Sequence, residues 1–375
     1  MENKIRIGFI ISNLGQGGAE RQFLELIKNI DKSSFDVSVC LYAINKGIFY
    51  KEIEEIDGIN LKLNILKSKN KALKILEALR YIRNYLQVNN FDIVYTTLFM
   101  NGFFVRIIAP NKYKNKIITS IRTSFASYNK FHRFVEKFLI NKSYVVLNSK
   151  NAEDDFRLSI NKKYHDRIFL IYNGFDAKRF SKNWNRESKN PIIIGNIGRM
   201  TYQKNQIQLL RFIRMLSNRK LKLIIIGAKG DQSELLKNYI NDYSLNDQVD
   251  LIDAVSNIEK YYNSFDIFIL PSFYEGCPNV LFEAMLSKRL CIVSSNANSD
   301  GFIKDGINGF VYDGSDEGLL HTFKNALLIL GEEKEKQIIE NAFEYAIRNF
   351  GMNVMVHKYE NIFIKLNEKN KARYS

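Results

Sequence analysis

Ten short runs rich in β-branched and aromatic residues alternate along the chain with longer stretches of helical periodicity. In the first half they are KIRIGFIIS, FDVSVCLYA, FDIVYTT, KIITSIR and YVVLNS; in the second, PIIIGNIG, LKLIIIG, VDLID, FDIFILP and LCIVSS. Near-continuous apolar strands separated by helices are the mark of parallel sheets covered on both faces. The pattern therefore predicts two doubly wound α/β units. The polar segment DAKRFSKNWNRESKN, residues 176–190, interrupts the alternation before a fresh strand, so the connection between the units is expected there. Ligands of such units bind in a crevice at the carboxyl ends of the strands, here expected between the two units.

Length and composition agree with this division. A chain of 375 residues exceeds the roughly 250–300 residues over which one core usually extends, and 46% apolar residues suffice for two. Four prolines and no low-complexity tract argue against a linker-dominated chain. No stretch approaches about 18 uninterrupted apolar residues, and the N-terminal run lacks a small-residue cleavage site, so a cytosolic protein is expected. Cys40, Cys277 and Cys291 have no metal-ligand spacing and point to reduced thiols, and four scattered histidines add nothing to a metal site.

Charge is unevenly spread. The net charge is +15; residues 1–175 carry 28 cations against 16 acids, and residues 101–150 alone carry ten cations and a single acid, Glu136. An anionic partner surface, either nucleic acid or membrane, fits this imbalance, as does the codon bias of an AT-rich genome. Within it, YNKFHRFVEKFLI sets Phe131, Phe134, Val135, Phe138 and Leu139 at helical spacing with Lys130, Arg133 and Lys137 between them. Such a basic amphipathic helix suits an acidic membrane surface, or a core-packed helix with a solvated face.

Three motifs stand at strand ends. In SNLGQGGAERQ the first strand runs into Gly15, Gly17 and Gly18 and then a helix, where bare backbone and a helix N-terminus can meet a phosphate or sugar, or simply form a tight turn. The spacing fails the dinucleotide fingerprint, and no P-loop is present. In IIIGNIGRMTYQKNQ a strand delivers Arg199 and Lys204 beside a helix start, where two cations fit a departing diphosphate. In SFYEGCPNVLFEAMLSK, Glu275 lies on a strand-to-helix loop and Glu283 lies a little over one turn into the helix. Spacing alone also allows an ordinary surface acid and a helix-dipole partner.

Taken in order, GGAE, IYNGFD, IGRMTYQKN, NIEKYYNSFDIFILPSFYEGCPNVLFEAM and KDGINGFVYD resemble the family 4 retaining glycosyltransferases of the GT-B fold, along most of the chain. The resemblance implies two Rossmann-like domains facing across a cleft: residues 1–176 on the acceptor side, residues 190–349 on the nucleotide-sugar side, and residues 350–375 as a helix returning to the first domain. It assigns Glu275 to the donor sugar and Glu283 to the ribose. It gives Arg199 and Lys204 to the diphosphate, and Gly276, Cys277, Asn279, Val280 and Leu281 to the sugar and diphosphate through their backbone. Gly17 and Gly18 match the loop that closes over donor and acceptor. No cofactor or metal is implied, the two cations standing in for a divalent ion, and the leaving phosphate itself helps deprotonate the incoming hydroxyl.

Two departures fall where sugar and acceptor are selected. Where many members carry a first-domain His, this chain has Arg122, with His132 ten residues on. Where many carry an acid with a glycine pair, it has NANSDGF, leaving Asp300. The expected activity is transfer of a hexose-type sugar from a UDP- or GDP-sugar to a hydroxyl of a glycan, polyprenyl-diphosphate-linked, in bacterial capsule or O-antigen synthesis. The enzyme is expected on the inner face of the cytoplasmic membrane, held by the basic N-terminal domain. A nucleotide-sugar epimerase or phosphorylase of the same fold is the alternative. A basic nucleic-acid-binding protein is disfavoured because no recognisable nucleic-acid-binding signature is present.

Overall fold

The computed structural model describes residues 4–15, 17–44, 49–122, 129–180, 191–216, 220–255 and 257–374. Most of the expected connecting segment, residues 181–190, lies outside them. The chain divides into two compact units, Met1–Gly174 with Met352–Ser375, and Phe175–Gly351.

The first unit is built on a seven-stranded parallel sheet: β1 (Ile5–Ile11), β2 (Phe35–Leu41), β3 (Ile59–Leu63), β4 (Ile93–Thr97), β5 (Ile117–Ile121), β6 (Ser143–Leu147) and β7 (Ile168–Leu170), in the order β3-β2-β1-β4-β5-β6-β7. The second carries six parallel strands, β8 (Ile192–Ile197), β9 (Leu221–Ile226), β10 (Val249–Ile252), β11 (Ile267–Leu270), β12 (Leu290–Ser294) and β13 (Phe310–Tyr312), in the order β10-β9-β8-β11-β12-β13. Both sheets are doubly wound, as the alternation of apolar runs predicts. Every residue of β4, β5, β6, β11 and β12 is buried, which is why those strands read as unbroken apolar runs. The three strands that the pattern does not reveal are short or at an edge. β3 leaves most of INLKL partly or fully exposed, and β7 and β13 have three residues each.

The long helix Met352–Tyr374 belongs to the first unit. Its Met355, Tyr359, Phe363 and Leu366 are buried in the core formed by β1, β2, β4 and the helix Gly18–Asn29. Gly174 makes room for it, since a Cβ there would stand 2.8 Å from the Met355 side chain. Arg122, at the end of β5, ties the same helix to the sheet: its guanidinium donates to Asn173 Oδ1, to Tyr359 Oη at 3.1 Å and to Tyr95 Oη at 3.4 Å.

The basic helix Lys130–Leu139 does not bury its apolar residues as one stripe. Val135, Leu139 and Glu136 face inward, whereas Phe131, Phe134 and Phe138 are 59%, 67% and 59% exposed. Glu136 is fully buried and receives two hydrogen bonds from Arg106 of the helix Phe99–Ile108, at 2.7 and 2.6 Å. Removing one member of a fully buried ion pair costs about 3–5 kcal/mol, because the other is left charged and unpartnered. Glu136→Ala is therefore expected to lower stability by about that amount, while Arg106→Met with Glu136→Leu recovers most of it, measured by thermal and urea unfolding.

Candidate active site

Strand order reverses between β8 and β11, because β8 continues through β9 on one side and its other neighbour is reached only later in the chain. Loops leaving the carboxyl ends of such a pair diverge and open a crevice. Those loops are Gly198–Asn205 and Pro271–Pro278, which carry Arg199, Lys204 and Glu275.

The first loop lies down onto the end of β9 because glycines there present no side chain. A Cβ at Gly227 would stand 1.9 Å from the Gly198 carbonyl oxygen, and one at Gly230 would stand 2.3 Å from that of Met200. Backbone hydrogen bonds from Met200 N to Ala228 O and from Gln232 N to Met200 O, both 3.0 Å, hold the contact. The loop then makes a 3₁₀ turn, Tyr202–Lys204, and reverses at Asn205, whose φ of 49° is a left-handed value that Asn tolerates better than most residues. Asn205 Nδ2 donates to Pro271 O at 3.2 Å, so the reversal is fastened to the second loop.

The loops are joined twice more. Phe273 N donates to Gln203 O at 2.9 Å, and Gln203 Nε2 to Tyr274 O at 2.8 Å, while the Tyr202 and Phe273 rings lie 4.9 Å apart. This brings Lys204 Nζ to 2.6 Å from Glu275 Oε1, with the two side chains 19% and 7% exposed. Arg199 is exposed on the same loop, and its guanidinium makes no hydrogen bond or ion pair with the described residues. A cleft of about 770 Å³ is lined by Arg199, Lys204, Lys229, Asp231, Tyr202 and Tyr274, with cations in excess.

The helix Asn279–Leu286 begins beside Glu275. Its N-cap, Pro278, supplies no side-chain acceptor to the first turn. Leu281 is fully buried, and its N–H donates to Pro278 O at 2.9 Å. Phe282 fixes the helix from behind, its ring 3.8 Å from that of Phe350 and 4.9 Å from that of Phe302. Glu283, on the same helix, accepts a hydrogen bond from Tyr262 Oη at 2.8 Å. Burial pushes its pKa up to about 7, against the opposing effects of that hydrogen bond and of the Arg179 charge. Glu283 is partly exposed, with its carboxylate held by Tyr262.

The second half of this chain, residues 177–345, matches the family model described as glycosyl transferases group 1, and residues 16–179 match that of glycosyltransferase family 4. The chain belongs to the family 4 glycosyltransferases. It is 27% identical over 318 residues to the capsular polysaccharide biosynthesis glycosyltransferase CapH of Staphylococcus aureus, covering 80% of this chain and 85% of that one. It is 29% identical over 295 residues, 75% and 78% of the two chains, to the N-acetylgalactosamine-N,N'-diacetylbacillosaminyl-diphospho-undecaprenol 4-alpha-N-acetylgalactosaminyltransferase of Campylobacter jejuni. Among solved structures, HepE of Anabaena in complex with UDP and glucose superposes with a TM-score of 0.79 at 18% identity, over 96% of this chain and all of that one. The fold is GT-B.

In this glycosyltransferase Arg199, Lys204, Glu275, Gly276, Cys277, Asn279, Val280 and Glu283 all belong to the second unit and cluster on two adjoining loops and one helix. Asp300 lies in the same unit, on the turns after β12, near enough to Tyr345 for its charge to be felt there. Gly17, Gly18 and Arg122 are in the first unit. Gly17 caps the helix Gly18–Asn29, and a Cβ there would meet the Glu20 carboxylate at 2.2 Å, so the bare backbone admits that side chain against the helix start. Arg122 is spent on Asn173, Tyr95 and Tyr359, which makes it a brace of the first unit's core.

Sequence reasoning missed Tyr262, Gln203 and Lys229. Each acts across a span of residues that no local pattern reports; the one available signal is the tyrosine pair of NIEKYYNSFD, whose second member meets Glu283.

The Glu283 environment has a pH signature. An acid whose folded-state pKa is raised holds its proton more tightly when folded, so its contribution is intact below its ordinary value of 4.5 and is lost as pH rises towards 7. Over that window the wild type is expected to lose up to about 1.4 kcal/mol of stability per pH unit relative to Glu283→Gln. Melting temperatures of both proteins between pH 4.5 and 8 check it, the expected result being a difference that shrinks towards acid.

Proposed function

We propose that this enzyme transfers a sugar from a nucleotide diphosphate sugar to a hydroxyl of a lipid-linked glycan, with retention at the anomeric carbon and without a metal ion. The observation that carries the reading is the Lys204–Glu275 pair at 2.6 Å, on a cleft shared with the exposed Arg199. In the free protein Lys204 and Glu275 satisfy each other. A bound diphosphate gives the Lys204 ammonium a second anionic partner, and Lys204, Arg199 and the N–H of Val280 at the helix start meet the charge that grows on the leaving oxygens. Glu275 then faces the donor sugar's hydroxyls as an acceptor, and Glu283 takes the ribose.

The reaction follows from that arrangement. The acceptor hydroxyl attacks the anomeric carbon on the face from which the diphosphate leaves. The carbon–oxygen bond to phosphate breaks, and the hydroxyl proton passes to the departing phosphate oxygen, so no protein base is required. Glu275 acts as an electrostatic and positioning group.

UDP is the favoured nucleotide because HepE, which shares the fold, is complexed with UDP and glucose. The Campylobacter relative, by its name, works on a diphospho-undecaprenol-linked acceptor, and CapH serves capsular polysaccharide. A polyprenyl-diphosphate-linked acceptor on the inner face of the cytoplasmic membrane, in capsule or related cell-surface polysaccharide synthesis, is proposed on that basis. No described helix is long and apolar enough to cross a membrane, and the placement proposed is peripheral.

A thermal-shift panel of UDP- and GDP-sugars identifies the donor, and transfer assays with undecaprenyl-diphosphate-linked glycans then give rates. Lys204→Ala and Glu275→Ala are each expected to lower kcat about 10²–10³-fold with the fold intact. Near-wild-type turnover in both removes the site assignment. Full conversion of the donor with no acceptor present would identify an epimerase instead.

A further inference from the structure

The helix Lys130–Leu139 projects a row of aromatic side chains that the fold of its own unit leaves uncovered. Phe131, Phe134 and Phe138 follow one another at spacings of three and four and are all more than half exposed, while Val135, Glu136 and Leu139 fill the interior. The neighbouring helix Phe99–Ile108 continues the surface: Met100, Phe103, Phe104 and Ile107 share one face, with Met100 50% and Ile107 55% exposed. The two helices meet through Phe103 and Phe131, whose rings are 6.5 Å apart, and through Phe99 and His132 at 3.9 Å. The result is one apolar patch across two helices, of a kind that soluble surfaces seldom leave open.

Charge decides what covers it. Lys130, Arg133 and Lys137 are exposed on the flank of the same helix, and the only acid among residues 101–150 is Glu136, which is buried and neutralised by Arg106. The rim of the patch therefore carries cations with no nearby exposed acid from that segment. A second copy of this surface would bring like charges together, whereas an anionic bilayer offers hydrocarbon for the phenylalanines and phosphates for the lysines and arginine.

We propose that the face formed by Phe131, Phe134, Phe138, Met100 and Ile107, rimmed by Lys130, Arg133 and Lys137, is a docking plate for an anionic lipid surface. It inserts aromatic side chains to headgroup depth and leaves the helix, about 15 Å long, parallel to the membrane. The buried Arg106–Glu136 pair holds the two helices together as one plate. This deepens the membrane placement proposed above and rests on that reading for its biological setting. Its test reads lipid binding without sugar transfer, so the failure of either leaves the other measurable.

The full-length protein is floated with vesicles of phosphatidylcholine, alone or mixed with phosphatidylglycerol. Wild type is expected to bind the mixed vesicles at least about tenfold more tightly than the neutral ones. Phe131→Ser with Phe134→Ser and Phe138→Ser should lose about tenfold or more while keeping the wild-type melting temperature, because those side chains are already exposed. The residual binding of that variant should vanish in high salt, since only its screened electrostatic part remains. Should the triple variant melt early, Phe134→Trp alone serves as the probe, its emission shifting to the blue on mixed vesicles. Equal binding by wild type and the serine variant, or no blue shift, overturns the proposal. Wild-type dimerisation that the serine variant abolishes, without vesicle binding, assigns the patch to a second copy.

Discussion

A parallel sheet whose strand order reverses leaves two loops to diverge from adjacent strand ends, and the second unit depends on closing that divergence with charge. Lys204 and Glu275 meet at 2.6 Å from loops that follow β8 and β11. Each would be costly to bury alone, and together they are tolerated at low exposure. Backbone contacts make the meeting possible: Gln203 is bonded to Phe273 and Tyr274, Asn205 to Pro271, and the loop after β9 is bare at Gly227 and Gly230. The pair is therefore held in place by the bonds between the two loops.

Glu283 illustrates a second use of burial, on the helix that follows the Glu275 loop. Eight residues separate it from Glu275, yet one acid is matched by an ammonium and the other by a phenol. Burial of the Glu283 carboxyl outweighs its phenol hydrogen bond, and its pKa rises to about 7. The Glu283 carboxyl thus holds its proton more tightly than a solvated acid does.

The double winding was legible because fully buried parallel strands leave unbroken apolar runs, and the strand-end positions of Arg199, Lys204 and Glu275 followed from it. The missing strands were those for which burial gives no such run: β3 at an edge, and β7 and β13 at three residues each. The unseen members of the site, Tyr262 and Gln203, act through contacts 21 and 71 residues away, set by packing rather than by pattern. The bonds of the Arg122 guanidinium to Asn173, Tyr95 and Tyr359 were likewise set by packing across the first unit.

The basic helix required both kinds of information. Periodicity alone placed Phe131, Phe134, Val135, Phe138 and Leu139 on one apolar stripe, and such a stripe fits a core as well as a membrane. Packing splits the stripe, since the stripe is wider than the surface its neighbours can cover: Val135 and Leu139 reach the interior and the three phenylalanines do not. What holds the helix in that orientation is the Arg106–Glu136 pair, which turns the segment's only acid inward. Had Glu136 faced solvent, it would have lowered the charge of the rim and left the Arg106 charge buried without an anionic partner. One ion pair thus fixes the rotation of the helix, removes the negative charge from its surface and leaves aromatic and cationic side chains outermost together.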